Sequence, residues 1–197
     1  MEFKGNFEGL MAKARAKGVP VIRDQTADDL CAFVDMTAPK TILEFGTGVG
    51  VSAILMHEVT PAKIDTIELD AARAKEAQVN FNKMGVSDDI TLHTGDAFEV
   101  SCQMVRDGRK FDFVFLDSSK GQYIKLLPNI IKLLNPGGTM FADNVLFRGF
   151  VYGQCPKRYK TLSARLRQFI DAAKNSDAFC DVCVYDTEDG FLVARMK

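Results

Sequence analysis

Five short apolar runs, at 41–45, 64–68, 90–94, 111–116 and 138–142, are each followed by a helix-like stretch or a turn, and this alternation constrains the chain more than any other feature. The helical stretches fall near 51–58, 71–84, 97–107 and 120–134. Strand–helix alternation of this kind builds a parallel sheet covered by helices on both faces. A long basic helix is predicted over 157–174, before two last apolar runs at 179–185 and 190–196. Only Thr187-Glu188-Asp189-Gly190 separates those two runs, which is too short for a crossover helix. They therefore form a hairpin, and at least one strand is antiparallel. The expected fold is a three-layer α/β domain with a mixed sheet. Ahead of the first strand, residues 2–17 read as a helix ending at Gly18. Val19-Pro20-Val21-Ile22 is extended, because a proline pushes its predecessor out of the helical region. Thr26 reads as the N-cap of a helix over 27–37. Residues 1–37 thus read as a helical cap segment on one domain spanning 1–197.

Bulk properties exclude more than they assign. The net charge of −1 gives no global field toward nucleic acid or membrane. No apolar run approaches the ~18 residues of a membrane span. The N-terminal Met1-Glu2-Phe3-Lys4-Gly5 has no signal-peptide pattern, so a cytoplasmic location is expected. Five cysteines are scattered at 31, 102, 155, 180 and 183, which speaks against a disulfide framework. Cys180 and Cys183 form a lone CxxC inside a probable strand and are expected to be buried thiols rather than zinc ligands. The two histidines, His57 and His93, lie in no metal-type cluster of the sequence.

Ligands of open α/β sheets bind at the carboxyl ends of the strands. The first strand runs into Glu44-Phe45-Gly46-Thr47-Gly48-Val49-Gly50. Three glycines in five residues let a ligand approach the backbone closely. The spacing is GxGxG, and Val51 stands where a dinucleotide fingerprint needs its third glycine, which counts against an NAD-dependent oxidoreductase. The second strand ends in Ile67-Glu68-Leu69-Asp70, where Glu68 suits a ribose and Asp70 suits a helix cap. The third ends in Gly95-Asp96-Ala97, where Asp96 suits either an adenine amino group or a cap. Three ligand-type features at three successive strand ends point to a nucleotide-like ligand.

The fourth and fifth strands carry a different chemistry. Asp117-Ser118-Ser119-Lys120 follows one, and Asp143-Asn144 follows the other, at the same edge of the sheet. Asp117, Asp143 and Asn144 offer oxygen only, which suits Mg²⁺, Mn²⁺ or Ca²⁺ and disfavours zinc. Lys120 opens a helix, where the macrodipole disfavours a cation by ~0.3–1 kcal/mol. Beside a dication its pKa would fall, and it could serve as a base.

Glu44 to Gly50, Glu68, Gly95-Asp96, the run Phe111 to Tyr123, and Pro136-Gly137-Gly138 through Asp143-Asn144-Val145-Leu146-Phe147-Arg148-Gly149 together resemble the metal-dependent O-methyltransferases, the group that includes catechol and caffeoyl-CoA O-methyltransferases. Within that group the nearest resemblance is to the bacterial tRNA 5-hydroxyuridine methyltransferases. It is carried by Asp117-Ser118-Ser119-Lys120-Gly121-Gln122-Tyr123, by Asp143 through Val151, and by the basic Lys157-Arg158-Tyr159-Lys160. The resemblance implies a Rossmann-like class I methyltransferase fold with seven strands, the last inserted antiparallel beside strand five. It implies that S-adenosylmethionine is bound by Glu44, Gly46, Thr47, Gly48, Gly50, Ser52, Glu68, Asp96, Ala97 and Asp117. It assigns Asp117, Asp143 and Asn144 to a divalent metal and Lys120, with Asp117, to catalysis. Catechol O-methyltransferase has a His-Trp pair where this chain has Ser118-Ser119, so its substrate walls do not carry over. A homodimer is a family trait, but the N-terminal extension that many relatives use for pairing is short here.

The expected acceptor is a hydroxylated aromatic or nucleobase. From Arg148 to Ile170 the chain carries Arg148, Lys157, Arg158, Lys160, Arg165 and Arg167 and no acid. This stretch follows the metal-type residues directly, so its basic side chains could hold phosphates while Phe147, Phe150 or Tyr152 stacks on a splayed base. Arg148, Phe150, Lys157 and Arg158 are the substrate candidates, with a uridine of tRNA as the expected partner and a small catechol-like phenol as the alternative. A non-enzymatic RNA-binding module on the same fold is the remoter reading.

Overall fold

The computed structural model describes residues 5–16, 18, 19 and 21–197, with side chains from Gly9 onward. The expected helix start at 2–4, Lys17 and Pro20 lie outside the described residues. The elements in chain order are α1 (Gly5–Ala16), α2 (Asp24–Thr37), β1 (Thr41–Phe45), α3 (Val51–Val59), β2 (Lys63–Glu68), α4 (Ala71–Met84), β3 (Ile90–Thr94), α5 (Ala97–Arg106), β4 (Phe111–Leu116), α6 (Tyr123–Leu133), β5 (Leu134–Ala142), α7 (Lys160–Lys174), β6 (Phe179–Tyr185) and β7 (Phe191–Met196). Single 3₁₀ turns at Lys120–Gln122 and Lys157–Tyr159 lead into α6 and α7.

The strands form one seven-stranded sheet in the order β3-β2-β1-β4-β5-β7-β6. β1 to β5 pair in parallel, and β7 runs antiparallel between β5 and β6. The mixed Rossmann-like sheet with its terminal hairpin is thus as expected. The topology reverses direction at β1 and β4, the place where such sheets open a crevice. Period-two alternation distributes the apolar side chains between two cores. Leu43, Phe45, Val114, Leu116 and Met140 pack with α5, α6 and α7 residues. Ile42, Ile64, Phe113, Phe115 and Phe141 pack with residues of α2, α3 and α4. Burial on both faces is why these strands are apolar at nearly every position. Phe141 and Phe191 stack with centroids 4.5 Å apart, locking the antiparallel β7 against β5.

Three local expectations need correction. The residue at the N-cap of α2 is Arg23, without a side-chain cap bond. Thr26 lies inside the helix, where its amide and its hydroxyl both donate to Glu188, at 2.9 and 2.5 Å. β5 begins four residues earlier than expected, because Pro136-Gly137-Gly138 is absorbed as a bulge: Phe111 pairs with Leu134 but Phe113 with Thr139. Cys180 and Cys183 are exposed rather than buried. β6 is the edge strand beyond β7, so its residues lack a partner strand on one side.

Candidate active site

Backbone geometry builds the first part of the site. After β1 the chain crosses toward β2, with the amides of Gly46 and Thr47 both donating to the Ile67 carbonyl, at 2.9 and 3.1 Å. Gly46 has φ +99°, and a Cβ there would stand 2.2 Å from the Asp117 carbonyl oxygen. Only glycine lets the loop lie this close to the end of β4. Gly50, at φ +89°, precedes α3, and a Cβ on it would stand 2.5 Å from the Phe81 ring. It packs directly against that ring.

Glu68 anchors the loop from the end of β2. One carboxylate oxygen accepts from the Gly48 amide at 2.8 Å and the other from the Asp70 amide at 2.9 Å. Asp70 caps α4 through the amides of Ala72 and Arg73, and Asp96 caps α5 through those of Phe98 and Glu99. Both Asp96 bonds use the same oxygen, Oδ1. Glu44 is fully buried beneath the loop. It accepts from the Thr66 hydroxyl at 2.5 Å, and Thr66 meets the Thr47 hydroxyl at 2.6 Å. Burial pushes the Glu44 carboxyl up to about 8, opposed by the Thr66 hydrogen bond and aided by the charges of Asp117 and Glu68.

A cavity of about 350 Å³ opens over these strand ends. Of the sequence candidates it gathers Gly46, Thr47, Gly48, Ser52, Glu68, Asp96, Ala97, Asp117 and Lys120. Glu44 and Gly50 do not line it. Sequence reasoning missed Val21 and Ile22, which close one side from the segment before α2, and Leu69, Arg73 and Gln122 on other walls. Leu69 is 67% exposed, unusual for a leucine flanked by two acids, and that local oddity was its one available signal. Ser118 and Gln122 each carry a buried polar atom, Oγ and Oε1, with no hydrogen-bond partner among the described residues. Unpartnered buried polar atoms in a cavity wall are what a polar ligand would satisfy.

The second part of the site follows from strand register. Leu116 pairs with Ala142, so Asp117 and Asp143 are the next residues on adjacent parallel strands. The Asp117 amide donates to the Phe45 carbonyl and the Asp143 amide to the Leu116 carbonyl, both at 3.0 Å. The buried Tyr123 hydroxyl lies 3.0 Å from the Leu116 carbonyl and 3.1 Å from that of Asp143, at the junction of the two strand ends. Burial pushes the Asp143 carboxyl up to about 7, with the neighbouring Asp117 charge adding to it. Burial raises Asp117 too, against the pull of Lys120, whose Nζ stands 3.7 Å from Asp117 Oδ1. Asn144 follows at φ +55°, and its amide donates to Asp143 Oδ1 at 2.6 Å. Among the described residues no three His, Cys, Asp or Glu side chains gather in a metal-holding group. The donor set here is two carboxylates and one amide, which fits a hard divalent cation that takes further oxygens from water or substrate.

Beyond Asn144, the substrate candidates lie outside the cavity. Arg148, Lys157 and Arg158 are exposed. Phe150 is half-buried and stacks on Tyr159 at 5.8 Å, with Phe147 edge-on to both. Arg158 lies over the Tyr159 ring at 4.6 Å. Tyr152 is 61% exposed, with the Arg167 guanidinium 5.6 Å from its ring. A side chain on Gly121 would meet the Arg165 guanidinium at 3.3 Å, so α7 brings a cation next to the Lys120 turn.

The O-methyltransferase family model matches residues 10–197. The chain belongs to the O-methyltransferase family. It is 35% identical over 115 residues to the catechol O-methyltransferase of Niastella koreensis, covering 57% of this chain and 52% of that protein. It is 26% identical over 163 residues to caffeoyl-CoA O-methyltransferase 1 of Eucalyptus globulus, covering 79% of this chain and 66% of that protein. The chain therefore spans about half to two thirds of the length of these curated relatives. Its fold is shared with an O-methyltransferase from Bacillus cereus solved in complex with SAH, at a TM-score of 0.88, 22% identity, and coverage of 100% of this chain and 93% of that one. No helix among the described residues is long and apolar enough to cross a membrane.

Proposed function

We propose that this chain is an S-adenosylmethionine- and divalent-metal-dependent O-methyltransferase whose acceptor is a hydroxylated nucleobase, a 5-hydroxyuridine of tRNA. The observation that carries the reading is the adjacency of the Glu68–Asp96 cavity to the Asp117–Asp143 pair through one wall, Asp117 to Lys120. Support for the cofactor comes from the SAH-bound Bacillus cereus relative. When bound, S-adenosylmethionine supplies an electrophilic methyl group, and a cation at Asp117, Asp143 and Asn144 lowers the pKa of a hydroxyl beside it. Glu68 and Asp96 would hold the nucleoside end of the cofactor, and the Gly46–Gly48 backbone would hold its methionine end. Lys120 takes the acceptor proton at Nζ. Asp117, 3.7 Å away, holds that side chain at the cavity wall. Positioning and charge stabilisation supply most of the rate.

The acid-free basic stretch from Arg148 to Ile170 favours a polyanionic acceptor, and it begins four residues after Asn144. A 5-hydroxyuridine offers O5 beside the O4 carbonyl, a pair that chelates as a catechol does. The names of the two curated relatives favour the second reading, a small catechol-like phenol. Methyl transfer to tRNA bearing 5-hydroxyuridine separates them. Lys157→Glu with Arg158→Glu should cripple methylation of that tRNA while activity on a small catechol persists, and wild-type activity on the tRNA should fall steeply with salt. If the tRNA accepts no methyl group, or the double variant methylates it as well as wild type does, the nucleic-acid reading is wrong.

A further inference from the structure

The β6–β7 turn lies far in sequence from every site residue, yet it joins both halves of the site. Four consecutive amides of the loop after Asn144 donate to it. The Val145 amide reaches the Gly190 carbonyl at 2.8 Å, and those of Leu146 and Phe147 reach the Asp189 carbonyl at 2.9 and 3.1 Å. The Arg148 amide reaches the Asp189 carboxylate at 3.2 Å. Gly190 is jammed against this loop, since a Cβ on it would stand 2.3 Å from Leu146. The other oxygen of the same Asp189 carboxylate accepts from the Arg23 guanidinium at 2.8 Å. Arg23 follows Val21 and Ile22, which wall the cofactor cavity. The neighbouring Glu188, at φ +52°, holds Thr26 one turn into α2. The Asp189 side chain is 14% exposed, while the Arg23 side chain that it holds is 49% exposed.

We infer that Asp189 is a positioning residue that couples the two half-sites, holding the acceptor-side loop at Arg148 with one carboxylate oxygen and at Leu146 and Phe147 with its carbonyl, and holding Arg23 of the cofactor-side strap with the other carboxylate oxygen. A ligand that orders the strap pulls Arg23 into a fixed place, which fixes the carboxylate and, through it, the loop that carries Phe147 and Arg148. Coupling of this kind is reciprocal, so an acceptor that orders the loop also tightens the cofactor side. Both loop residues sit at positive φ, 45° and 58°, a conformation that L side chains hold only when surrounding bonds impose it. The inference rests on the proposed cofactor site but on no particular acceptor.

Hydrogen–deuterium exchange with SAH as the probe tests it, because the amides that Asp189 holds are themselves the readout. In wild type, SAH should slow exchange in the glycine-loop peptide 46–52 and also in the 143–151 peptide, the latter by roughly fivefold, the lower end of ordinary coupling. Arg23→Gln should retain the protection of 46–52 and reduce that of 143–151 to less than about twofold, with the melting temperature little changed. Arg23→Lys, which keeps the charge, should restore part of the effect. Unchanged exchange of 143–151 in wild type with SAH, or full protection in Arg23→Gln, overturns the coupling. Absence of SAH protection at 46–52 overturns the cofactor reading itself, and the coupling with it.

Discussion

Asp117 and Asp143 stand one residue beyond the paired Leu116 and Ala142, so two acids 26 positions apart in the chain become neighbours at one sheet edge. Asp143 is buried and Asp117 half-buried, and the Asp117 charge pushes Asp143 further toward the protonated state. Such a pair costs stability when both are ionised, and a cation between them removes the repulsion. Asp143→Ala is therefore expected to abolish turnover while SAH binding largely survives, and a chelator should silence the wild type until Mg²⁺ or Mn²⁺ is returned. Mg²⁺ should also raise the melting temperature of wild type but not of Asp143→Ala. Full activity in excess chelator would sink the metal assignment.

Glu68 accepts two backbone hydrogen bonds and still faces the cavity. Glu68→Ala removes the carboxylate proposed to accept from the ribose and frees the Gly48 and Asp70 amides. Calorimetry should show SAH binding weakened by roughly 1.5–3 kcal/mol, the range for hydrogen bonds to a charged group. An unchanged dissociation constant removes Glu68 from the site.

Lys120→Ala should lower turnover by about 10²–10⁴-fold, as expected for a general base, with SAH and Mg²⁺ binding nearly intact. Higher pH should restore part of the rate, because hydroxide can then ionise the acceptor. Wild-type turnover of the variant at neutral pH would make Lys120 a bystander.

Glu44 makes the folded protein sensitive to pH in a definite direction. Its carboxyl titrates at about 8 when folded, against an ordinary value of 4.5, so the folded state holds the proton more tightly than the unfolded state does. Stability is then highest below pH 4.5 for this group and is lost as pH rises toward 8. Glu44→Gln should flatten the pH profile of unfolding between pH 5 and 8, by up to about 4 kcal/mol at 1.36 kcal/mol per unit. Asp117 and Asp143 are raised too, so a slope of the same sign should remain. Denaturant titrations across this range check it, and identical profiles for the two proteins would refute it.

Periodicity and strand-end chemistry were legible along the chain because both are local. Apolar runs of four to six residues mark strands whatever surrounds them, and an acid or glycine at a strand end is a property of adjacent residues. The closing hairpin was therefore legible in advance, as was the place of Glu68, Asp96, Asp117, Asp143 and Lys120 at or just past strand ends. Three-dimensional packing decided what those residues touch. Glu44 at the end of β1 and Gly50 adjoin Gly46 and Gly48 in sequence, yet Glu44 is fully buried and Gly50 packs on Phe81. The clamp of Glu188 on Thr26 and the Arg23–Asp189 bond arise between segments more than 160 residues apart, and the walls at Val21 and Ile22 meet cavity residues that begin only at Gly46. Contacts of that kind leave no periodic trace, because their geometry is set only once β7 slots antiparallel beside β5 and carries its turn across the mouth of the sheet.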